Sequence, residues 1–191
     1  MDIRTRGFSE HIFFTSDTHF GHKNVIQYCN RPFSSIEEMD ETIIANWNSV
    51  VRPSDTVIHL GDFALGGKGT IPAYLDRLNG HILLMKGNHD RPRSFWRQFE
   101  GKVDVLDYGY QMGIALQDHK DIHGVIFSHR PMELNKIPVG YLNFHGHIHS
   151  TPTNRKYNVL PHIDVGVDYW GFTPVTMRTI LDTMLKENDA P

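Results

Sequence analysis

The sequence has little cysteine, no long apolar run and almost no excess of either charge. Its 191 residues include one cysteine, Cys29, so neither an internal disulfide nor a cysteine-based zinc site can form, and a reducing, cytoplasmic compartment is expected. Lys and Arg total 19 against 22 Asp and Glu, a formal net charge of −3, which disfavours a general nucleic-acid or membrane-surface binder. No stretch is apolar enough to span a bilayer, and residues 1–14 lack a signal-peptide core.

The chain also lacks internal repeats and any Pro-, Gly- or Ser-rich stretch that would mark a linker. Hydrophobic residues make up 39% of the chain, which is ordinary for a globular protein and enough for a substantial core. We therefore expect a single domain covering residues 1–191.

Histidine, in contrast, is abundant, with 13 residues in the chain. Several of them follow short apolar runs, and such runs are typical of strands buried on both faces in parallel sheets. The runs that end in a residue able to bind metal are His11–Ser16, Thr56–Leu60, His81–Lys86, Val125–Ser128 and Tyr141–His145.

Helical periodicity separates the first three of these runs, which indicates a mixed α/β protein. Helices are predicted at about 35–51, with a capping box formed by Ser35 and Glu38, and at about 70–80, 93–99 and 176–187. Three further segments, Val103–Asp107, Tyr110–Leu116 and Ile122–Ser128, are predicted to be antiparallel strands. A last strand is expected around Ile163–Val167.

Metal-binding and acid–base residues stand where the apolar runs end. In open α/β sheets, ligands bind beyond the carboxyl ends of the strands, so these residues are expected to converge in space. Each short motif alone is common in ordinary turns, but five in one chain indicate a site. The five blocks are Asp17-Thr18-His19, Gly61-Asp62, Gly87-Asn88-His89-Asp90, His129 and Gly146-His147-Ile148-His149.

In order and spacing, the five blocks resemble the signature of the calcineurin-like metallophosphoesterases. The stretch Phe14–Phe33 is similar to that of small single-domain bacterial and phage members, and the resemblance covers roughly residues 11–170. It implies a four-layer αββα sandwich containing two mixed sheets.

The resemblance also implies two adjacent divalent metal ions as cofactors. Asp62 would bridge them. A donor set of Asp, His and Asn side chains accepts manganese, iron, zinc, nickel or cobalt, and manganese is the expected metal. Two divalent cations outweigh the charges of Asp17 and Asp62, which suits a phosphate anion. The first metal would be held by Asp17, His19, Asp62 and His149, and the second by Asp62, Asn88, His129 and His147.

The activity implied by the resemblance is hydrolysis of a phosphate ester by in-line attack of a metal-bridging hydroxide. His89 matches the family's catalytic histidine and is assigned as general acid, and Asp90 is predicted to orient its ring. Asn88 is predicted to contact substrate as well as metal. His22 either faces the substrate or only begins a helix. Arg91 and Arg130 either contact phosphate or are solvated surface residues.

The expected substrate is a small phosphate ester, with a nucleotide-like phosphodiester ahead of a phosphomonoester. The second block lacks the Asp-Arg-Gly sequence of the protein phosphatases of the superfamily, and Gly66–Gly69 does not fit a phosphate-binding loop. Two other hypotheses on the function stay open: a nuclease for single-stranded nucleic acid, and a catalytically silent binding module. Structural or surface roles are expected for His11, His59, His81, His119, His123, His145 and His162.

Overall fold

In the computed structural model, which describes residues 11–66, 69–113, 121–154 and 159–188, two mixed β-sheets are flanked by helices. The strands are β1 (Ile12–Thr15), β2 (Thr56–His59), β3 (His81–Met85), β4 (Val103–Leu106), β5 (Gln111–Gly113), β6 (Gly124–Phe127), β7 (Tyr141–His145), β8 (His162–Asp164) and β9 (Val175–Thr176). The helices are α1 (Lys23–Tyr28), α2 (Ile36–Val50), α3 (Thr70–Leu75), α4 (Arg93–Trp96) and α5 (Met177–Asn188). The predicted α/β class with two mixed sheets is confirmed.

The first sheet has the strand order β4-β3-β2-β1-β9. Strands β1 to β4 are parallel, and the short β9 runs antiparallel to β1. The prediction that 103–107 forms an antiparallel strand with its successors is therefore wrong. The segment pairs in parallel with β3 because α4 and the 3-10 turn Arg97–Phe99 carry the chain back to the start of the sheet.

The second sheet has the order β5-β6-β7-β8, with β6, β7 and β8 parallel. Here the antiparallel prediction is confirmed, since β5 pairs antiparallel with β6. The two sheets meet at the carboxyl ends of their strands, where Ser16 after β1 forms a parallel bridge with Gly166 after β8. This bridge brings the loops of both sheets to one edge of the sandwich.

Alternation along the strands gives each face of the first sheet its own core. In β1, Phe14 packs with Phe127 and Phe144 of the second sheet, and α5 adds Ile180 to this inter-sheet cluster. Phe13, on the opposite face of β1, belongs to a second cluster formed with α1 to α4. Both faces of the strands are thus buried, which explains their uninterrupted apolar runs.

Local signals account for α2 but not for α1. Ser35 begins α2 by accepting a hydrogen bond from the backbone N–H of Glu38 at 3.1 Å, as the capping box predicted. The Glu38 carboxylate closes the box one residue earlier, on the backbone N–H of Ser34 at 2.8 Å. Helix α1 has six residues, no side-chain cap and one buried side chain, Val25, so its sequence shows no periodicity that predicts a helix.

Several predictions fall outside the described residues. These are the N-terminal segment 1–10, the Gly67-Lys68 part of the glycine-rich loop, the end of the Tyr110–Leu116 strand and His119. Among the described residues, no helix combines the length and the apolar character that a membrane crossing requires.

Candidate metal centre

The predicted site residues all lie just beyond the carboxyl ends of parallel strands. Asp17 and His19 follow β1, Asp62 follows β2, and His129 follows β6. The loops after β1 and β2 run side by side, because the backbone N–H of Asp17 donates to Gly61 O at 2.9 Å and that of His19 donates to Asp62 O at 3.0 Å. Asn88, His89 and Asp90 follow β3, while His147 and His149 follow β7.

Many of the predicted metal ligands occupy the left-handed region of backbone conformation. This region is costly for residues with a side chain, on the order of 1 kcal/mol or more each, and such strain is concentrated at functional sites. The φ angles are 57° at Asp17, 51° at His19, 56° at Asp62, 73° at His147 and 47° at His149.

Two motif glycines are required because the site is crowded. A Cβ on Gly87 would lie 2.1 Å from Asp62 Oδ1, and a Cβ on Gly146 would lie 2.2 Å from Asp17 Oδ2. Real Cβ atoms do not approach other atoms so closely, so a larger residue would displace a predicted ligand. The Gly-Asn and Gly-His motifs are thereby explained by close packing around Asp62 and Asp17.

The predicted ligands form two adjacent clusters. Asp17, His19 and His149 form one, the second comprises Asp62, His129 and His147, and within each the ligand atoms lie within 4.8 Å of one another. One oxygen, Asp62 Oδ2, is 3.6 Å from Nε2 of His19 and 3.4 Å from Nε2 of His129. Asp62 thus stands between the clusters, as a bridging carboxylate must.

Orphaned polar atoms in the first cluster fit a metal ion. Asp17 Oδ1 and His19 Nε2 are buried and have no hydrogen-bond partner among the described residues. The other oxygen of Asp17, Oδ2, is already used by the backbone N–H of His147 at 2.8 Å. Buried polar groups are normally paired, and a carboxylate oxygen beside an imidazole nitrogen is a donor set that divalent metals accept.

In the second cluster, hydrogen bonding fixes the orientation of His129. Its Nδ1–H donates to Leu60 O at 2.8 Å, which directs Nε2 into the site. Asn88 Oδ1 lies 3.1 Å from this Nε2, so an amide oxygen completes the group around Asp62. The structure therefore brings Asn88 beside the second cluster, where the sequence predicted it.

Two residues that support the site were missed by the sequence analysis. Asp168 accepts a hydrogen bond from Nδ1–H of His149 at 2.7 Å, and Arg31 binds the same carboxylate through Nε and Nη2, both at 2.8 Å. Arg31 also donates to the backbone carbonyl of Asp17 at 2.7 Å. Such a carboxylate–histidine pair orients a metal ligand. Arg31 and Asp168 are 137 positions apart, so no local sequence pattern indicates their pairing.

The two carboxyl groups at the centre have opposite pKa shifts. Burial raises the pKa of Asp17 to about 6, despite the opposing effects of His149 and His129. Burial also acts to raise the pKa of Asp62, but hydrogen bonds from His129 and from the backbone of His89 hold it well below its usual range. A divalent cation would stabilise both anionic forms, because binding requires deprotonated ligands.

The histidines of the site also have pKa shifts in opposite directions. Burial and the neighbouring His149 hold the pKa of His19 far below its usual range, and burial together with His129 lowers that of His147 to about 4. Both rings are therefore neutral at pH 7, the form that binds metal. Burial would also lower the pKa of His149, but Asp168 and Cys29 outweigh it and raise the value to about 11.

His22 lies at the site. Its Nδ1 is 3.1 Å from Nδ1 of His19, and the centre of its ring is 5.8 Å from that of His89. Because the hydrogen bond to His19 uses the nitrogen facing away from Asp62, His22 supports the orientation of His19. This contact places His22 beside a predicted ligand, although it also precedes α1 as the alternative prediction stated.

In the structure, the Asp90 carboxylate contacts the backbone of the loops after β2 and β3. Its carboxylate accepts backbone N–H groups from Asp62 at 2.8 Å, Phe63 at 3.0 Å and Gly87 at 2.7 Å. Among the described hydrogen bonds, none joins Asp90 to the ring of His89. Asp90 therefore holds the loops after β2 and β3 together, because uncapped N–H groups of those loops compete for its oxygens.

The two arginines considered from the sequence have different positions. Arg130 Nη2 is 3.4 Å from Asn88 Oδ1, at the edge of the second cluster. Arg91 donates to the backbone carbonyl of Gly66 at 2.7 Å and is thereby held in the loop. Arg130, and not Arg91, is thus the arginine next to a predicted ligand.

The remaining described histidines have structural or surface positions, as expected. His59, His145 and His162 are buried. His11 pairs with Asp55 at 2.8 Å and His81 with Asp104 at 3.1 Å, while His123 is exposed.

Comparison with known proteins agrees with this architecture. The family model for calcineurin-like phosphoesterases matches residues 10–181. The chain is 35% identical over 181 residues to the uncharacterized protein MJ1445 of Methanocaldococcus jannaschii, with 92% of each chain covered. It is 32% identical over 189 residues to the gene 66 protein of Mycobacterium phage L5, covering 83% of this chain and 87% of the phage protein.

A solved structure has the same fold. The crystal structure of a protein of unknown function, AQ665 from Aquifex aeolicus, superposes with a TM-score of 0.66 at 24% identity, covering 90% of this chain and 98% of that one. Together, the family match, the relatives and the two ligand clusters confirm the predicted resemblance. The chain belongs to the calcineurin-like phosphoesterase family.

Proposed function

We propose that this chain is a metal-dependent phosphodiesterase that hydrolyses small, nucleotide-like diesters. The observation that carries the proposal is the pair of clusters joined at Asp62, in which buried Asp17 Oδ1 and His19 Nε2 have no hydrogen-bond partner within the part of the chain that the structure describes. The family match over residues 10–181 supports a phosphate ester as the substrate and residues 1–191 as one domain.

Two divalent metals would be held by the residues that the sequence predicted. Asp17, His19 and His149 would bind the first, Asp62 would bridge, and the second would take the three residues Asn88, His129 and His147. When bound, the metals would supply Lewis acidity that neutralises phosphate charge and acidifies the attacking water. Manganese is the first candidate, because oxygen and imidazole ligands suit it.

His89 is proposed as the general acid. Its backbone N–H donates to Asp62 Oδ1 at 2.9 Å, which holds the residue at the site, and its ring centre is 5.4 Å from that of His19. The ring is exposed and makes no hydrogen bond among the described residues, so its N–H is available to a leaving alkoxide. Asp62 and the loop after β3, which Asp90 ties to the loop after β2, position this residue.

Arg130 is proposed to contact the phosphate. It lies beside Asn88, whereas Arg91 is occupied by Gly66 O, so one of the two arginines faces the predicted second metal. The guanidinium of Arg130 would donate charge-assisted hydrogen bonds to the phosphate oxygens.

Replacement of His89 by glutamine tests the general acid. We expect His89→Gln to retain metal binding but to lose about 100-fold or more in kcat for diesters with poor alkoxide leaving groups. The loss should be smallest for p-nitrophenolate, which needs no proton. His123→Gln, a change of an exposed histidine, is the matched control. An equal loss for all leaving groups would exclude the assigned role.

A substrate and metal panel tests the function itself. We expect Mn²⁺-loaded protein to hydrolyse a p-nitrophenyl diester faster than p-nitrophenyl phosphate, with the activity removed by a chelator. Cyclic nucleotides, dinucleotides and single-stranded oligonucleotides, each with Mn²⁺, Fe²⁺, Zn²⁺, Ni²⁺ or Co²⁺, complete the panel. No hydrolysis under any condition would indicate a silent binding module, and cleavage of oligonucleotides alone would indicate a nuclease.

A further inference from the structure

A cavity of about 780 Å³ opens beside the second cluster and is not used by the proposed chemistry. This volume lies within the range of about 300–1,000 Å³ that is common for small-molecule sites. Its lining is mostly apolar: Pro131, Met132, Leu134, Ile148, Val159 and Leu160.

Exposed apolar side chains line the cavity. Leu134 and Val159, which belong to different lining segments, are 64% and 55% exposed. Large apolar side chains left in water around a concave surface are typical of a ligand-binding site. Burial of these side chains by a ligand would recover the hydrophobic free energy that the chain alone leaves unrealised.

The cavity is continuous with the metal centre. His147 lines it and belongs to the cluster with Asp62 and His129, and Arg130 lines it beside Asn88. A phosphate between the clusters would therefore have one substituent directed toward the cavity.

The position of His89 decides which substituent this is. The ring of His89 packs near His19 and His22, beside the first cluster. A general acid must be near the leaving oxygen, so the leaving group lies on that side. The cavity beside His147 then receives the ester arm that remains on the phosphate.

The polar groups of the cavity favour an aromatic heterocycle over a charged group. The formal charges of the lining residues Arg130 and Glu133 cancel, so the cavity offers no cationic excess to a polyanion. Asn143 Oδ1 accepts the backbone N–H of Met132 at 2.9 Å and is 3.3 Å from His162 Nδ1. His162 Nδ1 must therefore be the donor, which leaves Nε2 of this cavity-lining residue unprotonated and able to accept a hydrogen bond.

We propose that this cavity binds a nucleobase carried by the non-leaving arm of a phosphodiester. The proposal rests on the proposed function and adds the substrate class: nucleoside esters, recognised by an apolar pocket with one acceptor. Selectivity should therefore reside in Leu134, Val159 and their neighbours, apart from the metal ligands.

Two substrates with the same leaving group test this. Thymidine 5′-(p-nitrophenyl phosphate) and methyl p-nitrophenyl phosphate both release p-nitrophenolate and both keep an alkyl ester, so they differ mainly in the base and sugar. We expect Mn²⁺-loaded protein to have a kcat/KM at least about tenfold higher for the thymidine ester, since apolar pocket contacts have effects of this size.

Polar replacement of the exposed lining provides the variant. In the double variant Leu134→Ser, Val159→Ser, we expect the ratio of kcat/KM for the thymidine ester to kcat/KM for the methyl ester to fall about tenfold. Val139→Ser, at a valine that is 98% exposed and outside the cavity, should keep the wild-type ratio. A wild-type ratio near one, or a ratio that survives the double change, would overturn the proposal.

Binding measured without turnover separates this proposal from the proposed function. In ¹⁵N-labelled, Mg²⁺-loaded protein, thymidine 5′-monophosphate should shift the amide signals of Met132, Leu134 and Ile148, and methyl phosphate should not. If neither p-nitrophenyl ester is hydrolysed, the proposed function fails, and these shifts alone decide whether the cavity binds a base. Equal shifts with both phosphates, or none with either, would remove the nucleobase site.

Discussion

Strained and tightly packed residues form the metal centre. The predicted ligands Asp17, His19 and Asp62 have positive φ angles, which cost free energy that the surrounding loops must offset. Gly87 and Gly146 allow the chain to pass within van der Waals distance of the carboxylates. The ligand types could be predicted because each follows an apolar run. The backbone strain could not, because it arises from contacts between loops that are distant in sequence.

Substitution of Gly87 tests this packing. In Gly87→Ala the new Cβ would lie 2.1 Å from Asp62 Oδ1, so we expect Mn²⁺ affinity to fall by about tenfold or more. Gly69→Ala is the control, because a Cβ there meets nothing within 4 Å. Isothermal titration with Mn²⁺ measures both. Wild-type affinity in Gly87→Ala would show that the loop relaxes without moving Asp62.

At the scale of elements, the parallel strand order carries the ligands to one edge of the sandwich. Five apolar runs correctly predicted β1, β2, β3, β6 and β7. The pairing of β4 could not be predicted from its own residues, because the same alternating sequence pattern is compatible with a parallel or an antiparallel neighbour. Helix α1 has too few residues and too few buried side chains to leave a pattern.

His59, at the end of β2, ties the loops after β1 and β2 together. Its Nδ1 accepts the backbone N–H of Gly61 at 3.2 Å, and its Nε2 is 3.0 Å from Thr18 Oγ1. Thr18 Oγ1 donates to Phe63 O at 2.7 Å, so it accepts from His59, which is therefore the neutral Nε2–H tautomer. Burial lowers the pKa of His59 to about 3.

This shift predicts a pH-dependent stability. The unfolded chain protonates this histidine below pH 6.5, whereas the folded chain does not until about pH 3. Stability is therefore lost as the pH falls from 6.5 toward 3, by up to about 1.4 kcal/mol per unit.

Urea unfolding of metal-free protein at pH 7 and pH 5 measures this effect. The wild type should lose about 2 kcal/mol more of its unfolding free energy than His59→Gln over that interval. His123→Gln, which changes an exposed ring, should behave as the wild type does. Equal losses in wild type and His59→Gln would show that His59 does not remain neutral on folding.

At the scale of the molecule, one buried ion pair links segments from opposite ends of the chain. Arg31 follows α1, Asp168 precedes β9, and together they orient His149 after β7. The family motifs predicted His149 but gave no sign of its partners, because neither Arg31 nor Asp168 belongs to a recognisable block. The cavity beside His147 could likewise not be predicted from the sequence, because its three lining segments come together only on folding.

Removal of the charge of Asp168 tests this link. In Asp168→Asn, His149 loses an anionic partner and Arg31 is left buried without its carboxylate, so we expect Mn²⁺ affinity to fall about 10–100-fold. Glu41→Gln, which breaks an exposed pair with Arg77, should leave the affinity at the wild-type value. Titration calorimetry gives both affinities, and an unaltered affinity in Asp168→Asn would show that His149 needs no support.

We propose that the two clusters, linked through Asp62, form a phosphodiesterase centre. The most direct test of this proposal is the rate of p-nitrophenyl diester hydrolysis by metal-free protein as Mn²⁺ is added in known equivalents. We predict that activity rises to a plateau at two ions per chain, and that Asp62→Asn removes it. A plateau at one ion per chain, or no hydrolysis with both ions bound, would contradict the account.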